Sequence, residues 1–298
     1  MIKLGLTGYP LGHSLSPAIH TAALQSCDLD GSYSLFPVPP DDKQGLKDLL
    51  QRVRCGDVTG LNVTIPHKQK VIEFLDQLTP AAQAIGAVNT IYMRDEKLIG
   101  ENTDAPGFLS DLKRFLTPGT PRHGGFNALV LGAGGSARAV VYALLNDGWT
   151  ISLCARRLEQ VQQLADSFVN RQLLRSIPLG PITVYHLSDV EANLHAKRLI
   201  SNLSLVVNTT PLGMAPNIDQ SPWPDNLPFP PRAAIYDLVY NPRETKLVKD
   251  ARAQGLPATT GLGMLIEQAA LAFEIWTGRN PSREIMRTSV EPSPISNL

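Results

Sequence analysis

Three features of this sequence predict two successive α/β domains on largely parallel sheets. Short β-rich runs alternate with helical stretches along most of the chain, the pattern of strands joined by helical crossovers. A second alternating series, complete in itself, opens at a glycine-rich turn around Gly132. At 298 residues the chain exceeds one ordinary domain and suffices for two, each burying its own core.

The first series runs to about Asp76. Residues 2–7, 32–38 and 61–65 read as strands, and 17–27 and 43–53 carry helical patterns. Residues 89–93 and 97–99 predict a hairpin that turns through the polar Arg94, Asp95 and Glu96, followed by a helix from about Ala105 to Phe115. Proline and glycine make 117–125 a loop. The second series places strands at 127–132, 151–155, 182–186, 205–209 and 233–238, with helices between several of them: a doubly wound unit. An amphipathic helix over 264–276 follows, with Gly278 and Pro281 as its stop signals.

Composition narrows the function classes. Hydrophobic residues at 43% and charged residues at 18% are ordinary for a folded protein. Lys+Arg 27 against Asp+Glu 27 leaves no net charge, so no global field favours nucleic acid or an anionic membrane. Cys27, Cys55 and Cys154 are odd in number and widely spaced, which fits reduced thiols and neither a disulfide framework nor a zinc site. No apolar run approaches the roughly 20 residues of a membrane helix, and the opening residues lack a signal peptide's apolar stretch. A cytoplasmic chain is expected.

Gly132, Ala133, Gly134, Gly135, Ser136 and Ala137 join an apolar strand to a helix running to about Leu145 and match G-x-G-x-x-G/A. Gly132 permits the tight turn, Gly134 admits a pyrophosphate close to the backbone, and Ala137 lets helix pack on strand, while free N–H groups at the helix start face phosphates. A tight turn with no ligand has the same glycines. The next strand ends at Ala155, where an NAD-binding chain would usually carry a carboxylate. Arg156 and Arg157 stand there instead, suited to the 2′-phosphate of NADP. Two solvated arginines opening a helix are the plainer alternative.

A dinucleotide fold alone names no reaction. Four further segments gather polar side chains where strands end: Ser14 and Ser16 before a helix; Thr64 and Lys68 in Asn62-Val-Thr-Ile-Pro-His-Lys68; Asn89 in Gly86-Ala-Val-Asn-Thr90; and Asp104 in Asn102-Thr-Asp104. With these motifs in order, the chain resembles the shikimate dehydrogenase family from Gly8 to Gln268. The resemblance implies an N-terminal substrate domain and a Rossmann-type NADP domain with a cleft between them. It implies NADPH-dependent interconversion of 3-dehydroshikimate and shikimate, on the path to chorismate and aromatic amino acids. By the same resemblance Ser14, Ser16, Thr64, Lys68, Asn89, Asp104, Tyr240 and Gln268 meet the substrate, and Leu238 and Gly261 lie on the nicotinamide side. The family often has Asn-Arg-Thr after the second nucleotide strand; this chain has Ala155-Arg156-Arg157, so Arg156 keeps its alignment and Arg157 departs from it.

The residue types suit that chemistry. A small ring with a carboxylate and three hydroxyls calls for short hydroxyl and amide side chains. Reduction of a ketone needs a proton donor, and Lys68 with Asp104 is a fitting acid/base and orienting pair. Plainer roles exist: Ser16, Thr103 or Asp104 as helix N-caps, Lys68 as a solvated lysine, Tyr240 and Met264 as core, and His13 and His67 as loop histidines with no metal-site spacing. The rival functions are a quinate/shikimate dehydrogenase of broader specificity and a non-catalytic NADPH sensor. The expected division is 1–103 plus 261–298 for the substrate domain and 104–260 for the NADP domain, working as monomer or homodimer on small molecules.

Overall fold

The computed structural model describes residues 1–116, 126–172, 182–186, 201–225 and 227–291. The loop expected over 117–125 lies outside them. Two compact units result: Met1–Gly107 with Leu265–Leu298, and Phe108–Met264.

In the first unit, β1 (Ile2–Gly8) pairs in parallel with β2 (Gly31–Pro37) and β3 (Gly60–Val63). Helix α1 (Ser16–Ser26) connects β1 to β2, and α2 (Lys43–Arg54) connects β2 to β3. Leu46, Leu49, Leu50 and Val53 recur on one face of α2 and pack with Leu61, Val63, Val88, Ile91 and Leu98. Asp42 caps that helix by accepting from the Gly45 N–H at 2.8 Å.

The short helix α3 (His67–Lys70), a 3₁₀ turn (Val71–Phe74), the two-residue β4 (Gln77–Leu78) and α4 (Pro80–Ile85) lead to the hairpin of β5 (Thr90–Arg94) and β6 (Lys97–Glu101). Arg94 pairs with Lys97, so the turn is Asp95-Glu96, both at positive φ (49° and 60°), as a two-residue hairpin turn demands. The strand order is β2-β1-β3-β5-β6-β4. The sheet is thus mixed, because the hairpin places β5 antiparallel to both neighbours.

The second unit holds β7 (Asn127–Leu131), α6 (Gly135–Asn146), β8 (Thr150–Ala155), α7 (Leu158–Gln172), β9 (Ile182–His186), β10 (Leu205–Asn208), β11 (Ala234–Asp237), α8 (Lys246–Ala253) and β12 (Ala258–Thr260). Its strand order is β12-β11-β10-β7-β8-β9, all pairs being parallel, and the sheet is built outward from β7, first through β8 and β9 on one side and then through β10, β11 and β12 on the other. That is the doubly wound dinucleotide-binding order, with its switch point at β7 and β10. Leu129, Leu131, Val206, Ile235, Leu247, Val248 and Ala251 share its core.

The unit boundaries fall inside α5 (Asp104–Phe115) and α9 (Leu262–Thr277), about one helical turn past the crossings read at Asp104 and Gly261. Each helix runs unbroken through its boundary. A final helix, α10 (Arg283–Thr288), is capped by Ser282, which accepts from the Ile285 N–H.

Candidate active site

Lys68 and Asp104 meet in the first unit. Lys68 Nζ donates to Asp104 Oδ2 at 2.6 Å, with the side chains 13% and 6% exposed. Lys68 sits on α3 directly after β3, and Asp104 opens α5 directly after β6. Asn89, just before β5, donates from Nδ2 to Asp104 Oδ1 at 3.0 Å, Thr103 Oγ1 at 2.9 Å and Gln268 Oε1 at 3.2 Å. Gln268 comes from α9, and Gly107 lets that helix approach: a Cβ there would stand 2.8 Å from the Gln268 backbone nitrogen. Four residues far apart in sequence thus become one polar cluster around a carboxylate.

The capping readings are corrected by the same geometry. Asn102, not Thr103 or Asp104, caps α5 by accepting from the Ala105 N–H at 3.1 Å. Asp104 is left to face Lys68 and Asn89. Ser16 is buried as the first residue of α1 and is not its cap; its N–H donates to Ser14 Oγ at 3.2 Å. Thr64 is half-buried at the end of β3, where its N–H donates to the Thr7 carbonyl at 2.8 Å. Gly8 beside it has no room for a side chain, since a Cβ would lie 2.3 Å from Thr64 Cγ2. His67 is not a loop residue either: it opens α3, buried, with Nε2 2.7 Å from the Val38 carbonyl. His13 is exposed.

In the second unit, Gly132 has φ +115° and a Cβ there would lie 2.4 Å from Thr209 Oγ1, so both conformation and space require glycine. Gly134 is exposed, and a Cβ on it would meet nothing within 4 Å. It is the N-cap of α6 and brings no side chain to the helix start. Exposed backbone there fits a pyrophosphate, with Ala133, Gly135 and Ser136 half-buried around it and Ala137 fully buried beneath. Ala155 ends β8, and Arg156 and Arg157 follow, both exposed, in the place of a ribose-binding carboxylate.

Leu238 and Gly261 are brought together: a Cβ on Gly261 would lie 2.2 Å from the Leu238 carbonyl oxygen. Beneath them, buried Asp237 accepts from Asn208 Nδ2 (2.8 Å), the Val239 N–H (3.0 Å) and Thr245 Oγ1 (2.7 Å). Burial pushes the Asp237 carboxyl up to about 6 against the opposing pull of those donors. Tyr240 is half-buried and belongs to this second unit, whereas the Lys68 cluster belongs to the first; burial pushes its phenol up. Met264 is buried.

Thr103, Asn62 and Thr90 belong to the hydrogen-bond system of the Asp104 cluster without having been read as site residues. All three lie inside or beside the quoted motifs, which was the available signal. Among the described residues no group of three or more His, Cys, Asp or Glu side chains could hold a metal ion, and no helix is long and apolar enough to cross a membrane.

Residues 6–91 match the family described as shikimate dehydrogenase substrate binding domain, and residues 261–291 match the shikimate 5′-dehydrogenase C-terminal domain. The shikimate dehydrogenase (NADP(+)) of Desulforamulus reducens is 41% identical over 297 residues, covering 95% of this chain and 92% of that protein. Shikimate 5-dehydrogenase from Thermus thermophilus, solved with NADP(H) and shikimate, is 38% identical with a TM-score of 0.80 over 97% of this chain and 98% of that one. Quinate dehydrogenase from Corynebacterium glutamicum, solved with NAD, is 31% identical with a TM-score of 0.82 over 97% and 98%. With both sheets, the glycine turn and the lysine–aspartate cluster in place, this likeness over nearly the full length shows that the chain belongs to the shikimate dehydrogenase family.

Proposed function

We propose that the chain is an oxidoreductase that catalyses the reversible NADPH-dependent reduction of 3-dehydroshikimate to shikimate, in chorismate and aromatic amino acid biosynthesis. The observation that carries this reading is the 2.6 Å Lys68–Asp104 pair, set among amide and hydroxyl side chains in a chain of this family.

Reduction of the ketone adds a hydride to carbon and a proton to oxygen. NADPH, when bound, supplies the hydride. Lys68, as the ammonium, gives its proton to the developing alkoxide and recovers one in the reverse direction. Asp104 keeps the ammonium aimed through Oδ2 and is itself held by Asn89 through Oδ1. Ser14, Ser16, Thr64, Asn89, Gln268 and Tyr240 are assigned to the ring's carboxylate and hydroxyls, whose several donors and acceptors these side chains match. Gly132 to Ala137 would hold the pyrophosphate, Ala155, Arg156 and Arg157 the 2′-phosphate, and Leu238 with Gly261 the nicotinamide side. The free thiols of Cys27, Cys55 and Cys154 support a cytoplasmic enzyme, acting as monomer or homodimer.

Purified protein should oxidise NADPH on addition of 3-dehydroshikimate, read by cofactor absorbance. Folded, NADPH-binding protein that leaves the absorbance unchanged would instead be a sensor. The likeness to the NAD-bound quinate dehydrogenase favours one second reading, oxidation of quinate. Kinetics with shikimate and quinate, each with NADP and NAD, decide between them, and kcat/KM highest for quinate would displace the shikimate assignment.

A further inference from the structure

Behind the Lys68–Asp104 pair the first unit carries a buried chain of hydrogen bonds whose direction is fixed at both of its amides. The Asn89 carbonyl can only accept, so the amide nitrogen of Asn62 faces it, at 3.1 Å. Asn62 Oδ1 therefore faces the Tyr33 hydroxyl, which donates to it at 2.8 Å. Asn89 is set the same way: the Thr103 N–H donates to its Oδ1 at 2.7 Å, leaving Nδ2 for Asp104 Oδ1. Thr90 links the two amides, accepting from Asn62 Nδ2 at 3.3 Å and donating to Asn89 Oδ1 at 3.1 Å. Tyr33, Asn62, Asn89, Thr90, Thr103 and Asp104 are all buried.

The far end of the chain is fixed by ring packing. Tyr33 stacks on His20 with centroids 4.3 Å apart and planes 2° from parallel, which sets the direction of its hydroxyl. His20 is enclosed in turn by Phe273 and Trp276. Trp276 Nε1 donates to the Ile91 carbonyl at 3.1 Å, and its ring fills the space that a side chain at Gly60 would need.

We propose that Tyr33 and Asn62 are positioning residues for the reaction, holding Asn89 so that Asp104 presents Oδ2 to Lys68 in one orientation. Neither residue is assigned a substrate contact; both are buried, with their polar atoms bonded to protein groups. They act through Asn89 on the carboxylate, and a carboxylate that can rotate no longer keeps the ammonium over one point. The cost falls on the chemical step, where small misplacements are amplified, and less on binding, which rests on many contacts.

The proposal rests on the dehydrogenase reading, and the test separates the two. Inactive wild-type protein would sink the activity assignment; only the comparison of variants bears on Tyr33. Tyr33→Phe removes the hydroxyl and keeps the stacked ring. It should lower kcat about tenfold while the KM for shikimate changes less than about threefold. In an Asp104→Asn background the same substitution should cost nothing further, because the group it acts through is gone. Thr90→Val, which cuts the link between the two amides, should show a smaller loss of about threefold with the same dependence on background, and it decides the matter if Tyr33→Phe does not fold. Wild-type kcat in Tyr33→Phe, or equal losses in both backgrounds, would overturn the proposal and leave Tyr33 a core residue.

Discussion

Lys68 and Asp104 are each more than four-fifths removed from solvent, so neither charge is comfortable without the other. Lys68→Ala should lower kcat by about 10² to 10⁴, the usual worth of a positioned acid, with a smaller change in the KM for shikimate. Near wild-type kcat in that variant would remove Lys68 from the chemistry. Asp104→Asn should lose a comparable factor and also weaken binding, because the carboxylate can accept a ring hydroxyl as well as the ammonium. The two arginines proposed for the 2′-phosphate are exposed, so any contribution they make is screened by salt. Arg156→Ala should cut kcat/KM for NADP by about 10- to 100-fold at fixed low ionic strength and leave NAD nearly unaffected, with Arg157→Ala weaker. Equal losses with both cofactors would mean that Arg156 shapes the loop rather than reading the phosphate. Lys68, Asn89 and Asp104 could be picked out because each lies in a motif, Gln268 only through the resemblance, and Asn62 and Thr103 passed as motif neighbours. Their mutual bonds were not legible, since Asn62, Asn89, Thr103 and Gln268 converge from separate elements and no local spacing records that.

At the scale of elements, the longer pieces could be read from period and stop signals. The helix ending before Gly278 and the hairpin around Asp95 and Glu96 stand where their turn residues point. β4 and β12, of two and three residues, are too short to show any alternation, and their pairing is decided by the strands beside them. The buried carboxylate at the end of β11 gives these loops a pH dependence of their own. Burial raises Asp237 from the ordinary carboxylate range to about 6, so the folded state holds this proton more tightly than the unfolded chain does. Its contribution to stability is therefore full below about pH 4 and is lost as pH rises through about 6, a swing of about 3 kcal/mol. Asp237→Asn, which keeps an acceptor for Asn208 and Val239, should remove that slope, measured as the urea midpoint from pH 4 to 7. A variant that follows the wild-type slope would show that Asp237 does not titrate in this range.

For the molecule as a whole the opposite slope comes from the other unit. His20 is fully buried, and burial pushes it down to about 3, only partly opposed by the Asn62 side chain beside it. Above its ordinary value of 6.5 both states are neutral. As pH falls below that, the unfolded chain takes up a proton that the folded ring refuses, so stability is lost toward acid, by about 5 kcal/mol once pH nears 3. His20→Phe should flatten the acid side of the stability curve between pH 6.5 and 4, and curves parallel to wild type would refute it. The two-series plan was legible from the strand alternation, whereas the return of the chain to the first unit was legible only through the resemblance of Gln268, because an apolar helix does not announce which sheet it will cover. That return has a consequence for synthesis. Residues 1–107 leave the ribosome without the helix that supplies Gln268, Phe273 and Trp276, and roughly 160 residues of the second unit must be made first. At about 5 to 20 residues per second, the nascent first unit waits on the order of ten to thirty seconds with His20 and Asn89 uncovered, a window in which chaperones and proteases meet a half-built site.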